Sequence, residues 1–146
     1  MPRVLYGLDT TVLPKYLVSK LEVAHRRYLR TFQSLPDFVC SAVIYLLIGV
    51  LLIEAEIHLK KFALLGSIIR SGNETMLNLC KRQLSVKKYT SSSWFFEIEK
   101  LLVMYNLPCV KSLIESAYSK IKFKALVHKA VHNHWTLKLR SECHDR

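Results

Sequence analysis

Glycine and proline are scarce in this chain, four of each among 146 residues, and cysteine is as sparse at four. So few turn formers exclude an all-β design with frequent tight turns and make helix the leading hypothesis. The cysteines (Cys40, Cys80, Cys109, Cys143) stand 29 to 40 residues apart, with no CxxC pair among them. Such spacing gives no disulfide framework. The N-terminus opens with Pro2 and Arg3 rather than a charged-then-apolar leader. Reduced thiols in an intracellular protein of the nucleus or cytoplasm are therefore expected. A Gly-rich phosphate loop and an HExxH motif are also missing. Acidic residues are few, 11 against 22 basic ones, and they are dispersed. Two-metal phosphoryl transfer needs carboxylates gathered around ions about 4 Å apart. The closest acids, Glu54 and Glu56, are two positions apart and on a helix point to different faces. No polymerase or nuclease centre is expected, and with it no catalysis by this chain alone, no cofactor and no metal.

Long apolar runs are lacking too. Residues 38–53, FVCSAVIYLLIGVLLI, form the longest stretch without a charge, at sixteen residues. Crossing a hydrocarbon layer of about 30 Å takes about 20 residues of helix. Gly49 sits where a helix can stop, and Glu54 and Glu56 follow closely. A buried helix, a glycine turn and a second helix fit this segment better than a span. A small membrane-associated protein using residues 38–53 stands as a rival reading.

What is present is apolar mass and positive charge. Apolar residues make up 51% of the chain, ample for a core and too many for a disordered tail. The formal net charge is +11. Residues 1–36 carry six basic and two acidic side chains, residues 37–77 three and four, and residues 78–146 thirteen and five. Both ends are positive and the middle is neutral. A field of that sign attracts phosphate backbones or anionic lipid heads, although an inert basic surface has the same composition.

Apolar periodicity and breakers predict an all-α fold of six to seven amphipathic helices. A long first helix is expected over 15–34, with Leu17, Leu21, Ala24, Tyr28 and Phe32 as its buried stripe. Leu35-Pro36-Asp37 ends it, since Pro disfavours helical geometry in the residue before it. A short apolar helix runs to about 47. The next is expected over 52–70, stopping at Ser71-Gly72. Asn73 caps another to about 84. Residues 85–93, SVKKYTSSS, lack periodicity and divide a helical region 1–84 from a C-terminal helical region 94–146. Beyond them, helices are expected over 94–105, 110–117 and 119–140. The last should bury Phe123, Val127, Ala130, Val131 and Trp135 and keep Lys120, Lys122, Lys124, Lys129 and Lys138 wet.

The candidate binding residues are basic. Arg26, Arg27 and Arg30 share the polar side of the first helix, with Arg26 and Arg30 one turn apart. Lys20 falls on the side of Arg27, two turns earlier. Such a ridge suits either a solvated helix face or a phosphate backbone. Lys81, Arg82, Lys87 and Lys88 form a second patch, with Tyr89, Trp94 and Phe95 nearby. Cations mixed with aromatics suit single-stranded nucleic acid, while Trp94 and Phe95 also read as core anchors. His128, His132, His134, Cys143 and His144 gather near the C-terminus, yet the cysteine pairs of a zinc knuckle are missing. Surface histidines are the plainer reading. Cys109 has no base near it in sequence to make it a nucleophile.

The segments PRVLYGLD (2–9), LRTFQSLP (29–36), AVIYLLIG (42–49) and IEAEIH (53–58) resemble the region after the palm in jockey- and I-type non-LTR retrotransposon reverse transcriptases. WFFEIEKLLVMYNLP (94–108), SKIKFKALVHKAV (119–131) and Trp135 are similar to the C-terminal helical region of the same reading frames. The similarity runs from Pro2 to about Trp135 in the family's order. It implies a thumb-like helical bundle followed by a smaller helical tail. In that family the thumb packs beside the palm and holds the template–primer duplex by its backbone. The Lys20, Arg26, Arg27 and Arg30 ridge falls on the first long thumb-like helix. The palm's Tyr-x-Asp-Asp metal site and the endonuclease domain are missing. Leu52 stands where similar sequences have Pro, and Phe123 where they have Trp, which reads as drift in a decayed copy.

The resemblance therefore implies a catalytically incomplete polymerase fragment. Its partners would be the backbone of RNA, DNA or their hybrid, bound without sequence preference, and the missing palm. Self-association of an uncovered apolar surface is the competing outcome, with a helical interaction module or an unstable remnant as the alternative function.

Overall fold

Seven helices and no strand make up the described part of the chain, so the expected all-α class is correct. The computed structural model describes residues 6–8, 10–86, 94–116 and 118–145. In chain order the helices are α1 (Lys15–Phe32), α2 (Ser41–Ile48), α3 (Ile53–Arg70), α4 (Glu74–Val86), α5 (Trp94–Met104), α6 (Val110–Glu115) and α7 (Lys120–His144).

The breakers act where the sequence places them. Gln33 closes α1 with its N–H on the Leu29 carbonyl, and Ser34 turns the chain at φ 52 before Pro36. Gly49, at φ 71, ends α2 and donates its N–H to the Tyr45 carbonyl. Only glycine takes that left-handed geometry freely. Asn73 caps α4, its Oδ1 accepting the N–H groups of Thr75 and Met76. Asn106, at φ 55, turns the chain after α5 and ahead of Pro108. The expected linker over 85–93 begins later than its composition suggests, because α4 continues through Val86. Residues 87–93, with Lys87, Lys88, Tyr89 and Ser93, lie outside the described residues.

The chain divides into two compact units, one of residues 1–12 and 57–130, the other of 13–56 and 131–146. These boundaries differ from the 1–84 and 94–146 regions expected from composition, since they fall inside α3 and α7 rather than at a polar stretch. A helix running from one unit into the next leaves no Gly- or Ser-rich mark in the sequence.

In the unit built on 57–130, Phe62, Leu65, Ile98, Leu102 and Val110 form the deepest apolar positions. Two polar pairs lie among them. Lys61, 1% exposed, meets Glu97 Oε1 at 2.8 Å, and His58 Nδ1 lies 2.6 Å from the Tyr105 hydroxyl. Glu99 accepts the Val110 N–H and so ties α5 to the start of α6. Gly66 allows close packing: a Cβ there would come within 2.9 Å of the Phe123 ring. Along α7, Phe123, Val127, Val131 and Trp135 are buried as expected, Ala130 is half-buried, and the stripe continues to Leu139. Lys120, Lys122, Lys124, Lys129 and Lys138 are all exposed.

In the other unit, Leu29, Ala42, Ile44, Tyr45 and Leu139 form the core, with Leu35, Val39, Leu46, Ile48 and Leu52 packed against it. Here α1 corrects the expected stripe. Tyr28 and Phe32 stand 58% and 69% exposed, Ala24 is exposed, and Leu17 and Leu21 are half-buried. The buried positions are Glu22, His25 and Leu29. The helix carries a second stripe, Val18, Glu22, His25 and Leu29, at the same three- and four-residue steps. Tertiary partners for Glu22 select it. The Tyr45 hydroxyl donates to Glu22 Oε2 at 2.7 Å, and the Glu54 N–H donates to Oε1 at 2.8 Å. A carboxylate with both oxygens satisfied tolerates burial that a bare one does not. No single helix among the described residues is long and apolar enough to cross a membrane; α2 and α3 meet those criteria only taken together, across the break at Gly49.

Candidate nucleic-acid interface

With Glu22 and His25 turned inward, helical phase places Arg26 and Arg30 beside the buried strip and Arg27 on the open side. All three line one cleft of about 480 Å³, completed by Val23, Thr31, Ser34, Leu35, Asp37 and Ser41. Arg27 is exposed, while Arg26 and Arg30 are half-buried. Arg30 is fixed by donating from Nη2 to the Val39 carbonyl at 2.9 Å, and its Nε lies buried without an acceptor. Among the described residues none of the three guanidinium groups pairs with a carboxylate within 4.0 Å, in contrast to the Lys61 ammonium, which meets Glu97.

The rest of the cleft favours the same sign of ligand. Ser41 opens α2, whose N-cap Cys40 supplies no side-chain hydrogen bond to the first turn. A helix N-terminus carries partial positive charge and unpaired N–H groups. Thr31, Ser34 and Ser41 add hydroxyls, and Asp37 is the one acid in the wall. Arranged this way, the groups can neutralise a phosphate and donate hydrogen bonds to it.

The other candidates fall elsewhere. Lys20 is exposed on α1, 5.9 Å over the Tyr16 ring, and does not line the cleft. Lys81 and Arg82 are exposed on α4 in the other unit, and their expected companions Lys87 and Lys88 lie outside the described residues. Phe95 is buried and Trp94 half-buried against it, edge to face, in keeping with core anchors. An open depression of about 600 Å³ on α7 is lined by Lys120, Ile121, Lys124, Ala125 and His128. Among the described residues no three His, Cys, Asp or Glu side chains are placed to hold a metal ion. His128 and His132 are exposed, and His132 Nδ1 lies 3.4 Å from the Thr136 hydroxyl.

Sequence reasoning missed the exposed pair Tyr28 and Phe32 and the buried pair Glu22 and His25. The signal for the latter was Val18 and Leu29 bracketing two polar residues at helical spacing. Burial pushes the His25 imidazole below its usual range, against the upward pull of Glu22 and Glu56. The unfolded chain therefore takes up this proton first as pH falls. Stability from this group is full above about pH 6.5 and declines as pH drops through that value toward the lower folded pKa. Glu54 acts oppositely: burial raises its carboxyl, so its contribution is lost as pH rises through the carboxylate range. Thermal melts between about pH 7.5 and 6 should show a falling Tm that His25→Phe flattens. An unchanged slope in that variant would remove His25 as the cause.

The thiols differ as sharply. Burial pushes Cys80 up to about 11, whereas exposed Cys109 is lowered, first by the Ser112 hydroxyl 3.3 Å away. Thiolate is the reactive form. Alkylation followed by peptide mapping should therefore modify Cys109 first and Cys80 last in folded protein, and the order should collapse in denaturant.

No protein-family model, characterised protein or solved structure matches this chain.

Proposed function

We propose that this chain is a catalytically incomplete piece of a non-LTR retrotransposon reverse transcriptase, its thumb-like and tail helices without palm or endonuclease. Its own activity is salt-sensitive, sequence-tolerant binding of RNA, DNA or their hybrid in the nucleus or cytoplasm. The observation that supports this reading is the cleft in which Arg26, Arg27 and Arg30 face one space without a carboxylate partner. Three guanidinium groups held within about one helical turn repel one another unless an anion joins them. The reading assigns no enzyme activity, cofactor or metal to the chain.

The direct test is fluorescence anisotropy with a labelled RNA–DNA hybrid, titrated at several salt concentrations on protein shown helical by circular dichroism. Phosphate binding gives a log–log slope of about −0.9 per phosphate neutralised. Soluble, helical protein that binds nothing at low salt would refute the proposal.

A second reading, a helical interaction module that self-associates or meets a protein partner, is favoured by large apolar side chains left in water. Phe38 is 88% exposed and Leu47 70%. Sedimentation that shows a concentration-dependent dimer without nucleic-acid binding would select it.

A further inference from the structure

We infer that the arginine cleft holds the phosphorylated end of a strand, a terminal phosphomonoester, in preference to the diesters along its backbone. The inference rests on the nucleic-acid reading of the cleft and adds which phosphate is bound.

The cleft is a recess rather than a track. Arg26, Arg27, Arg30 and Thr31 line it from α1, Ser34, Leu35 and Asp37 from the turn that follows, and Ser41 from the start of α2. Its volume of about 480 Å³ lies within the range of small-ligand sites, about 300–1,000 Å³. The three arginines fall within about 6 Å of helix axis, and α1 carries no other arginine. Lys20, the cation two turns before Arg27, is exposed outside the cleft and lies over the Tyr16 ring. A backbone running on along α1 would leave the guanidinium groups behind, whereas a strand that ends in the recess uses all three.

The two kinds of phosphate make different demands. A diester has two free oxygens and one charge, and chain leaves it on both sides. A terminal monoester has three free oxygens, close to two charges near pH 7, and chain on one side only. It can therefore enter a recess and accept donors from several directions. The cleft supplies such donors from two elements. The arginine forks come from α1, and the Ser41 hydroxyl stands at the first turn of α2, to which Cys40 gives no side-chain cap. Arg30 is already held by the Val39 carbonyl, so the ligand need not order it. The C-terminal end of α1 has the opposite partial charge, but the carbonyls of Leu29, Arg30 and Thr31 are taken by the N–H groups of Gln33, Leu35 and Ser34. The Thr31 hydroxyl donates to the Arg27 carbonyl and shapes the wall instead of binding. Asp37, the acid in the wall, pairs with none of the three guanidinium groups, which leaves their forks to the ligand.

The experiment is anisotropy on the full chain at one low salt concentration, with a single-stranded DNA labelled at an internal base. Three versions differ only at their ends: hydroxyl at both, a 5′-phosphate, or a 3′-phosphate. A phosphorylated end, on one side or the other, should tighten binding about tenfold over the hydroxyl-ended strand. Arg27→Gln should remove most of that gain and keep the native dichroism and Tm, since Arg27 is exposed. Arg27→Lys, which keeps the charge without the fork, should retain part of it. Inorganic phosphate added at constant ionic strength should bring the strands together by filling the recess. Equal binding of all three strands overturns the inference while leaving internal diesters in the cleft and the nucleic-acid reading in place. A preference that persists when Arg26, Arg27 and Arg30 are all changed to Gln also overturns it and moves the strand end to another surface. Failure to bind any strand removes the nucleic-acid reading itself, and the inference with it.

Discussion

Lys61→Met should lower the stability of the protein by about 3 kcal/mol, the largest loss expected from any single polar side chain here. Lys61 is 1% exposed, and its ammonium meets Glu97 Oε1 at 2.8 Å. Methionine preserves most of the volume, so the effect isolates the charge. What remains is Glu97 with its partner gone and its other oxygen, Oε2, already buried without a hydrogen bond. Removing one member of a fully buried pair costs about 3–5 kcal/mol, because an uncompensated charge is left behind. The Glu97 side chain is 26% exposed, so water relieves part of that penalty and places the value at the lower end. For a chain of this size the loss corresponds to a fall in Tm of about 10 °C.

Combining Lys61→Met with Glu97→Leu should recover most of the stability, since an apolar pair of similar volume replaces a buried ion pair at little loss. Urea melts of the two single variants and the double variant decide this. If Lys61→Met lies within about 0.5 kcal/mol of the native protein, the pair is not the anchor its burial implies.

Changing Arg26, Arg27 and Arg30 together to Gln should abolish the steep salt dependence of nucleic-acid binding and leave the helical spectrum intact. Each guanidinium that neutralises one phosphate contributes about −0.9 to the log–log salt slope, so the triple variant should be flatter by about 3 units. At low salt this corresponds to an affinity loss on the order of a hundredfold or more, and at high salt the difference should shrink. The single variants should not be equal. Arg27 is exposed and makes no bond that the fold uses, so Arg27→Gln should act on binding alone. Arg30 also holds the Val39 carbonyl, so Arg30→Gln should loosen the turn before α2 as well. Unequal Tm with equal loss of salt slope is the expected signature. A triple variant that keeps the native slope would move the binding surface to other cations, with Lys120 and Lys124 on α7 as the next to test.

Much of the fold was legible because local chemistry sets element ends. Pro36, Gly49, Gly72, Asn73 and Pro108 break or cap helices by steric and hydrogen-bonding rules that need no distant partner. The stripe of α7 was equally readable, since Phe123, Val127, Val131 and Trp135 are apolar at one face and the lysines occupy the other. On α1 the rule misled. Two stripes compete there, and the more apolar one leaves its Tyr28 and Phe32 end in water while Leu17 and Leu21 are half-buried. The arginines were visible as a ridge, but a ridge is not a cleft: the far wall comes from Ser34, Leu35, Asp37 and Ser41.

The sequence by itself determined the all-helical class, the positions of the helix ends and the excess of positive charge, all of which follow from residue type and spacing within a few positions. Only the tertiary structure decided which face of α1 is inside. Hydrogen bonds from Tyr45 and from the Glu54 backbone let the Glu22 carboxylate be buried, and no periodicity of α1 encodes partners that lie 23 and 32 residues away. That single choice of phase gathers Arg26, Arg27 and Arg30 around one cleft and leaves Tyr28 and Phe32 exposed on the other flank of the helix.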